Sequence, residues 1–316
     1  MLSVGLFAAG VHFSRAAIAR NTPLAVSFLH QTTVFVLFFL LGTLWRVAGW
    51  KVAELHAVRL SALSACVRSN ARFFLPASLL LALNGWLVNT SLGLYGAEMT
   101  SFLMNLTLVF LVLAGCAAGE RLSAKEGLAI ALMVGGAFLF SYRSGGVAWG
   151  AVGLMAAACA IVAGKQLLVK HISGHEPLPV VMAAVMALSV PWVFSLMVTG
   201  RQWQPPDLRT SAYVLMGAML TSVAAMTLLY RAYHLVGVAR GAPFNALRPL
   251  AVMLAGLAIG HALPTGAQVA GGVMILLGSV GLTLWHKAPG ARAVQVAKPT
   301  PPLLAEVSKK SEMGAV

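Results

Sequence analysis

Ten apolar stretches, separated by short polar turns, run the length of the chain. They lie at roughly residues 4–20, 24–45, 73–94, 98–118, 126–142, 147–168, 178–199, 211–230, 241–260 and 266–285. A helix needs about 20 mostly apolar residues to cross the hydrocarbon core of a bilayer. Helices also satisfy all their backbone hydrogen bonds internally, as lipid requires. The pattern therefore predicts an all-α membrane protein of about ten transmembrane helices. The first stretch reads as a span rather than a signal peptide, because no basic segment leads into it and no A-x-A cleavage site precedes Arg15. Two segments read as lying outside the bilayer. Residues 46–72 are basic and amphipathic, which predicts an interfacial helix. Residues 287–316 hold Pro, Ala, Lys and Ser with few large apolar groups, which predicts a disordered cytosolic tail.

The stretches repeat. Gly119-Glu120-Arg121-Leu122 closes the fourth and Gly260-His261-Ala262-Leu263 closes the ninth, 141 residues later. The same offset pairs Gly115-x-x-x-Gly119 with Gly256-x-x-x-Gly260, and Gly96-Ala97 with Gly237-Val238. Earlier in each half, Arg15-x4-Arg20 resembles Lys165-x4-Lys170, and Pro23-Leu24 opens the second stretch as Pro177-Leu178 opens the seventh. Each half holds five spans. An odd number sends the two halves through the membrane in opposite senses, the inverted repeat of many secondary transporters. This divides the chain into repeats at 1–145 and 146–286 and a tail at 287–316. The GxxxG pairs let helix backbones approach closely; internal packing is the plain use, and a homodimer seam the sharper one.

Composition agrees: 59% of residues are hydrophobic, only 9% charged, and mean hydropathy is +0.86. The formal net charge of +14 would suit nucleic acid, but its distribution does not. With the N-terminus inside, sixteen of the 22 Lys and Arg fall in inner loops and the tail. Arg20, Arg143, Arg201 and Arg209 fall outside, and Arg15 and Arg248 lie within spans. The positive-inside rule then puts both termini in the cytoplasm of a multi-pass plasma or inner membrane protein, with membrane lipids rather than nucleic acid as the anionic partner. Cys66, Cys116 and Cys159 form neither a disulfide framework nor a metal spacing.

Several short blocks carry a family likeness. They are Gly119-Glu120-Arg121-Leu122 at the end of a two-span block, Tyr230-Arg231-Ala232-Tyr233-His234-Leu235, and Asn245-Ala246-Leu247-Arg248-Pro249-Leu250. Over residues 4–286 the chain resembles the EamA-type drug/metabolite transporters. The resemblance implies ten helices, cytosolic ends, and a central cavity lined mainly by spans 1, 3, 4, 6, 8 and 9. It departs from the family at Gly260-His261, where Gly-Glu is usual, at Arg248, where an acidic residue is commoner, and at Leu108, which stands where the second repeat has Pro249.

Charge inside a span is costly and points to a polar path. Arg248 sits about 12 Å from the inner end of its span, and a guanidinium binds carboxylate or phosphate bidentately; the rival use is a pair with Glu98 or with freed carbonyls. Pro249 blocks a helical hydrogen bond and predicts a kink that frees the Asn245 carbonyl. Arg15, near the outer end of the first span, can snorkel or bind substrate. His12 lies one turn deeper on a similar face. Asn84, Asn89 and Asn105 are span amides that need partners. Trp86 and Tyr230 are candidates for stacking on a substrate. Lys165 reads as a snorkelling residue. Glu98 is the acid closest to a membrane-embedded position, a candidate for proton coupling or a solvated residue at a helix start.

No H-E-x-x-H, G-x-S-x-G or Walker A motif occurs, and His171 with His175 lacks a third metal ligand. The expectation is a non-enzymatic secondary transporter without cofactor or metal. It would export a small molecule bearing an anionic group, an amino acid or organic acid. Arg248, Asn245, Asn105, His12, Arg15, Trp86, Asn89 and Tyr230 would form its site. A membrane enzyme acting on lipid-linked substrates and a non-transporting scaffold or sensor are the alternatives.

Overall fold

In the computed structural model of the chain, the described residues are 2–47, 60–117, 122–143, 146–173, 178–225, 228 and 247–285. Apart from one two-residue hairpin, the regular structure among them is helical. The helices are α1 (Leu2–Ile18), α2 (Pro23–Val47), α3 (Leu60–Ser69), α4 (Ala71–Tyr95), α5 (Ala97–Met104), α6 (Thr107–Ala117), α7 (Ala124–Phe140), α8 (Trp149–Ser173), α9 (Leu178–Thr199), α10 (Leu208–Ala218), α11 (Arg248–Ala258) and α12 (Gly266–Trp285). A π-helical segment, Met219–Ala225, continues α10. Strands β1 (Tyr142–Arg143) and β2 (Gly146–Val147) pair antiparallel between α7 and α8.

Seven segments are long and apolar enough to cross a membrane: Pro23–Leu41, Ala71–Tyr95, Ala97–Ala117, Trp149–Val169, Val180–Thr199, Leu208–Ala225 and Gly266–Trp285. Leu2–Ile18 and Arg248–Ala258 are shorter apolar helices. The chain is a multi-pass integral membrane protein. Its outer face fits lipid, for large apolar side chains such as Leu75, Leu113, Val273 and Leu277 point outward, Leu277 at 61% exposure.

Among the described residues, one of the expected spans is broken. The fourth divides at Asn105-Leu106 into α5 and α6. In the ninth, the described helix starts at Arg248 with Pro249 in its first turn, where the missing N–H costs least. Pro249 thus begins a helix instead of kinking the described one, and the residues that a kink would join, 241–246, lie outside the described residues. The helices Thr107–Ala117 and Arg248–Ala258 each span 11 residues and start 141 positions apart, the offset of the glycine motifs. The following helices begin alike. Ser123 and Glu126 exchange hydrogen bonds in a capping box, and Thr265 and Gln268 do the same at 2.9 and 3.3 Å.

Within the expected interfacial segment, α3 is described. It turns Leu63 and Cys66 inward against α4 and α9 and leaves Arg68 on the surface. The expected disordered tail lies outside the described residues, as do Tyr230, Asn245 and His175.

Glycine sets the closest helix contact. On α7 and α12, Gly136 packs against Gly271, and Gly278 against Ala129 and Met133. A β-carbon at Gly271 would sit 2.6 Å from the Gly136 carbonyl oxygen and also meet the Phe140 backbone. Backbone cannot step aside as a side chain can. Phe102 and Phe140, with ring centroids 4.3 Å apart, fill the layer beneath. Gly271→Val should therefore destabilise the detergent-solubilised protein by about 1–3 kcal/mol. Gly266→Ala, where nothing lies within 4 Å, should leave the unfolding transition in place.

Candidate functional site

One end of the bundle carries the α1–α2 turn, the α4–α5 junction, the hairpin, the α9–α10 loop and the α11–α12 turn. Tyr142, Trp149 and Trp203 are exposed there, as aromatic residues are at a membrane interface. At this end α1, α5 and the turn after α11 each bring one ionisable side chain to a common point.

Glu98 stands in the first turn of α5 because Gly96, at φ 91°, reverses the chain between α4 and α5. Its Oε1 lies 2.5 Å from Nδ1 of His261. Its Oε2 lies 3.9 Å from Nη1 of Arg15. The same Nη1 is 3.4 Å from Nδ1 and 3.3 Å from Nε2 of His261, so the guanidinium lies against the imidazole ring. Gly260, at φ 86°, turns the chain at the end of α11 and delivers His261 to the cluster. His12 approaches the His261 ring edge-on at 5.3 Å, and its Nε2–H donates to the Val252 carbonyl at 2.9 Å.

Gly256 makes the arrangement possible. A β-carbon there would collide with Oε1 of Glu98 and come 3.0 Å from Nδ1 of His261. The second GxxxG motif thus makes room for a carboxylate, and Gly256 is not part of an exposed dimer seam.

The cluster borders an open cavity of about 330 Å³. Polar groups of Arg15, Tyr95, Glu98, His261 and Gln268 line it beside the apolar walls of Met99, Phe140, Met253 and Leu257. That mixture suits a small molecule with one charged end, at the small end of ordinary ligand sites. Ligand atoms of His12, Glu98 and His261 come within 4.8 Å of one another, a spacing open to a metal ion. The Arg15 guanidinium pressed on His261 repels a cation there, so the cluster is better suited to an anion.

The remaining expected residues are dispersed. Arg248 places its guanidinium 4.5 Å over the Phe7 ring. Phe7 lies eight residues before Arg15 on α1, or about 12 Å deeper. Helix α1 therefore meets the α11 segment at three levels: Phe7 with Arg248, His12 with Val252, and Arg15 with His261. Glu98, expected either solvated or as a partner of Arg248, is paired with His261 and Arg15. Arg15 is engaged with both rather than snorkelling. Asn89 donates to Ser27 at 2.6 Å, which makes it glue between α4 and α2. Trp86 packs against a core of Leu24, Ala82, Val193 and Met197. Asn105 caps α5 at the break, and its Nδ2 is buried without a hydrogen-bond partner among the described residues. His171 stacks on Phe73 at 4.4 Å. Lys165 is half-buried on α8.

Sequence reasoning had passed over His261 and Gly256 as site residues. The signal for His261 was present as the Gly-His departure from the usual Gly-Glu.

An apolar helical bundle with a paired ion cluster opening on a cavity describes a membrane protein that handles a polar solute. Residues 144–284 match the EamA-like transporter family, so the second half of the chain is EamA-like. A solved structure, titled only as the crystal structure of a protein, has a similar fold. Its TM-score is 0.60 at 15% identity, over 89% of this chain and 94% of its own. No curated protein matches the chain.

Gly256→Ala should push Glu98 off His261 and destabilise the protein by about 1–3 kcal/mol. Because both residues act on one contact, Gly256→Ala and Glu98→Gln should be non-additive by more than about 0.5 kcal/mol in a double-mutant cycle of unfolding.

Proposed function

We propose that the protein is a secondary transporter that exports a small organic anion, an amino acid or organic acid, by alternating access across the plasma or inner membrane. The observation that carries this reading is the Arg15–Glu98–His261 cluster, facing an open cavity at one end of an apolar bundle. A charge kept inside a membrane protein marks a substrate or ion path by default. Arg15 is the cation in the cavity wall. With Glu98 as its partner it is held ready and electrically balanced until an anion takes over the pairing.

Arg248 is the second station. It lies about 12 Å deeper along the same face of α1, against Phe7. His12 stands between the two, and Asn105 at the α5–α6 break and Asn245 before Arg248 would complete the deeper site. Tyr230 is a further candidate for its wall.

The matched offsets of α6 with α11, and of the two capping boxes, support reading 1–145 and 146–286 as inverted five-helix halves that rock about this path. The charge distribution supports cytoplasmic termini and, with them, a cavity on the outer side. EamA-like membership of residues 144–284 supports transport of a small molecule.

Purified protein in lipid vesicles should take up radiolabelled carboxylates against vesicles lacking protein. Arg15→Gln should lower the initial rate at least tenfold, and Arg248→Lys, which keeps the charge but loses the planar fork, should lower it markedly as well. Arg143→Gln, in the hairpin, should transport as wild type. Equal rates in all four proteins would remove the assignment.

A further inference from the structure

With a neutral His261 ring, the ion cluster balances to zero. Arg15 contributes one positive charge and Glu98 one negative. The His261 ring makes a close approach to a guanidinium through both of its nitrogens, 3.3 and 3.4 Å from Nη1. A neutral ring accepts that approach at less cost than an imidazolium, which would set a second cation against the guanidinium. Nδ1 of His261 meets the Glu98 carboxylate, and the Arg15 guanidinium covers the ring beside Nε2. The other titratable groups facing it are His12 on α1 and Tyr95 on α4. His12 is tied through Nε2–H to the Val252 carbonyl.

An organic anion that binds Arg15 adds one negative charge to this balanced site. Part of the site is water-excluded, for the Glu98 and His261 side chains are only 25% and 30% exposed, and the walls on one side are Phe140, Met253 and Leu257. An uncompensated charge is unfavourable in such surroundings. One group is placed to restore neutrality. When the anion draws Arg15 away from the ring, Nε2 of His261 is released and can take a proton from water. The N–H bond forms on Nε2, the contact of Arg15 with the ring is lost, and the resulting imidazolium lies between Glu98 and the bound anion.

We infer that the Arg15–His261–Glu98 cavity binds an organic monocarboxylate together with one proton, carried on His261, so that substrate and proton occupy the site as a neutral pair. This rests on reading the cavity as the anion site of a transporter and adds the coupling ion and the substrate charge to it. A single guanidinium at one end and aromatic and aliphatic walls at the other fit one carboxylate on an apolar body. The sign follows from the proton count: the bound state holds one proton more than the free state, so affinity rises as pH falls.

The test is calorimetric titration of the detergent-solubilised protein with benzoate and 3-phenylpropionate, with benzylamine as the cationic control. It is run at pH 6, 7 and 8 in two buffers of different ionisation heat. The wild type should bind the carboxylates and not the amine. The dissociation constant should rise about tenfold per pH unit, as linkage to one proton requires, and the buffer comparison should show about one proton taken up per carboxylate. Arg15→Gln should not bind.

The two remaining variants separate coupling from mere packing. Glu98→Gln leaves the site with a net positive charge, so it should bind without proton uptake, with a flat pH profile and at least as tightly as wild type at pH 8. His261→Gln keeps the hydrogen bond to Glu98 but cannot take the proton, so it should bind weakly and with a flat profile. Wild-type binding that is flat in pH and takes up no proton would overturn the co-binding and leave the anion site standing. A slope retained in His261→Gln would overturn the assignment to His261. No carboxylate binding by folded wild type would overturn the anion site itself, and with it the proposed transport reading.

Discussion

The pairing of Arg15 with Glu98 and His261 is the interaction on which the rest of this site depends. Within a bundle meant for lipid, an ionised side chain is acceptable where another charge and good hydrogen bonds meet it. Here the three partners come from α1, α5 and the turn after α11, regions far apart in sequence. Their meeting fixes where those elements converge.

Glycine supplies the geometry that the charges exploit. Gly96 and Gly260 take backbone conformations with positive φ, at 91° and 86°, and each stands beside a charged residue of the cluster. Gly256 gives up its side chain so that the Glu98 carboxylate can occupy the space. Beside the cavity, Gly136 and Gly271 bring α7 and α12 into backbone contact. Lipid gives helices no hydrophobic reason to associate, so close packing of this kind carries much of the cohesion.

The helix break adds a second layer. The interruption at Asn105-Leu106 precedes α6, and α6 and α11 start at matching places in the sequence of the two halves. Broken helices at membrane depth leave polar backbone that is tolerated where it is buried in protein or lines a path. Asn105, with its buried amide, stands at the break, and Arg248, laid over Phe7, opens α11. Between the cavity and Arg248, His12 of α1 is tied to the Val252 carbonyl of α11.

Much of this was legible in the chain alone. Apolar stretches of about 20 residues force helices, because no other open structure satisfies the backbone in lipid; each stretch that falls on described residues is helical. The glycine spacing revealed the 141-residue offset that reappears between α6 and α11. Arg15, Glu98 and His12 were marked as candidates because charge and imidazole are rare in spans. Their meeting was not legible. Local pattern says which residues are unusual and where along a helix they sit, but whether a carboxylate at position 98 meets an imidazole at 261 depends on how helices far apart in sequence pack. That packing also turned Gly256 from a helix contact into room for Glu98, and His261 from a departure in a motif into the centre of the site. Sequence determined the membrane-spanning helices because burial in lipid is a constraint on each segment by itself; tertiary structure decided the site because pairing of charges is a property of segments brought together.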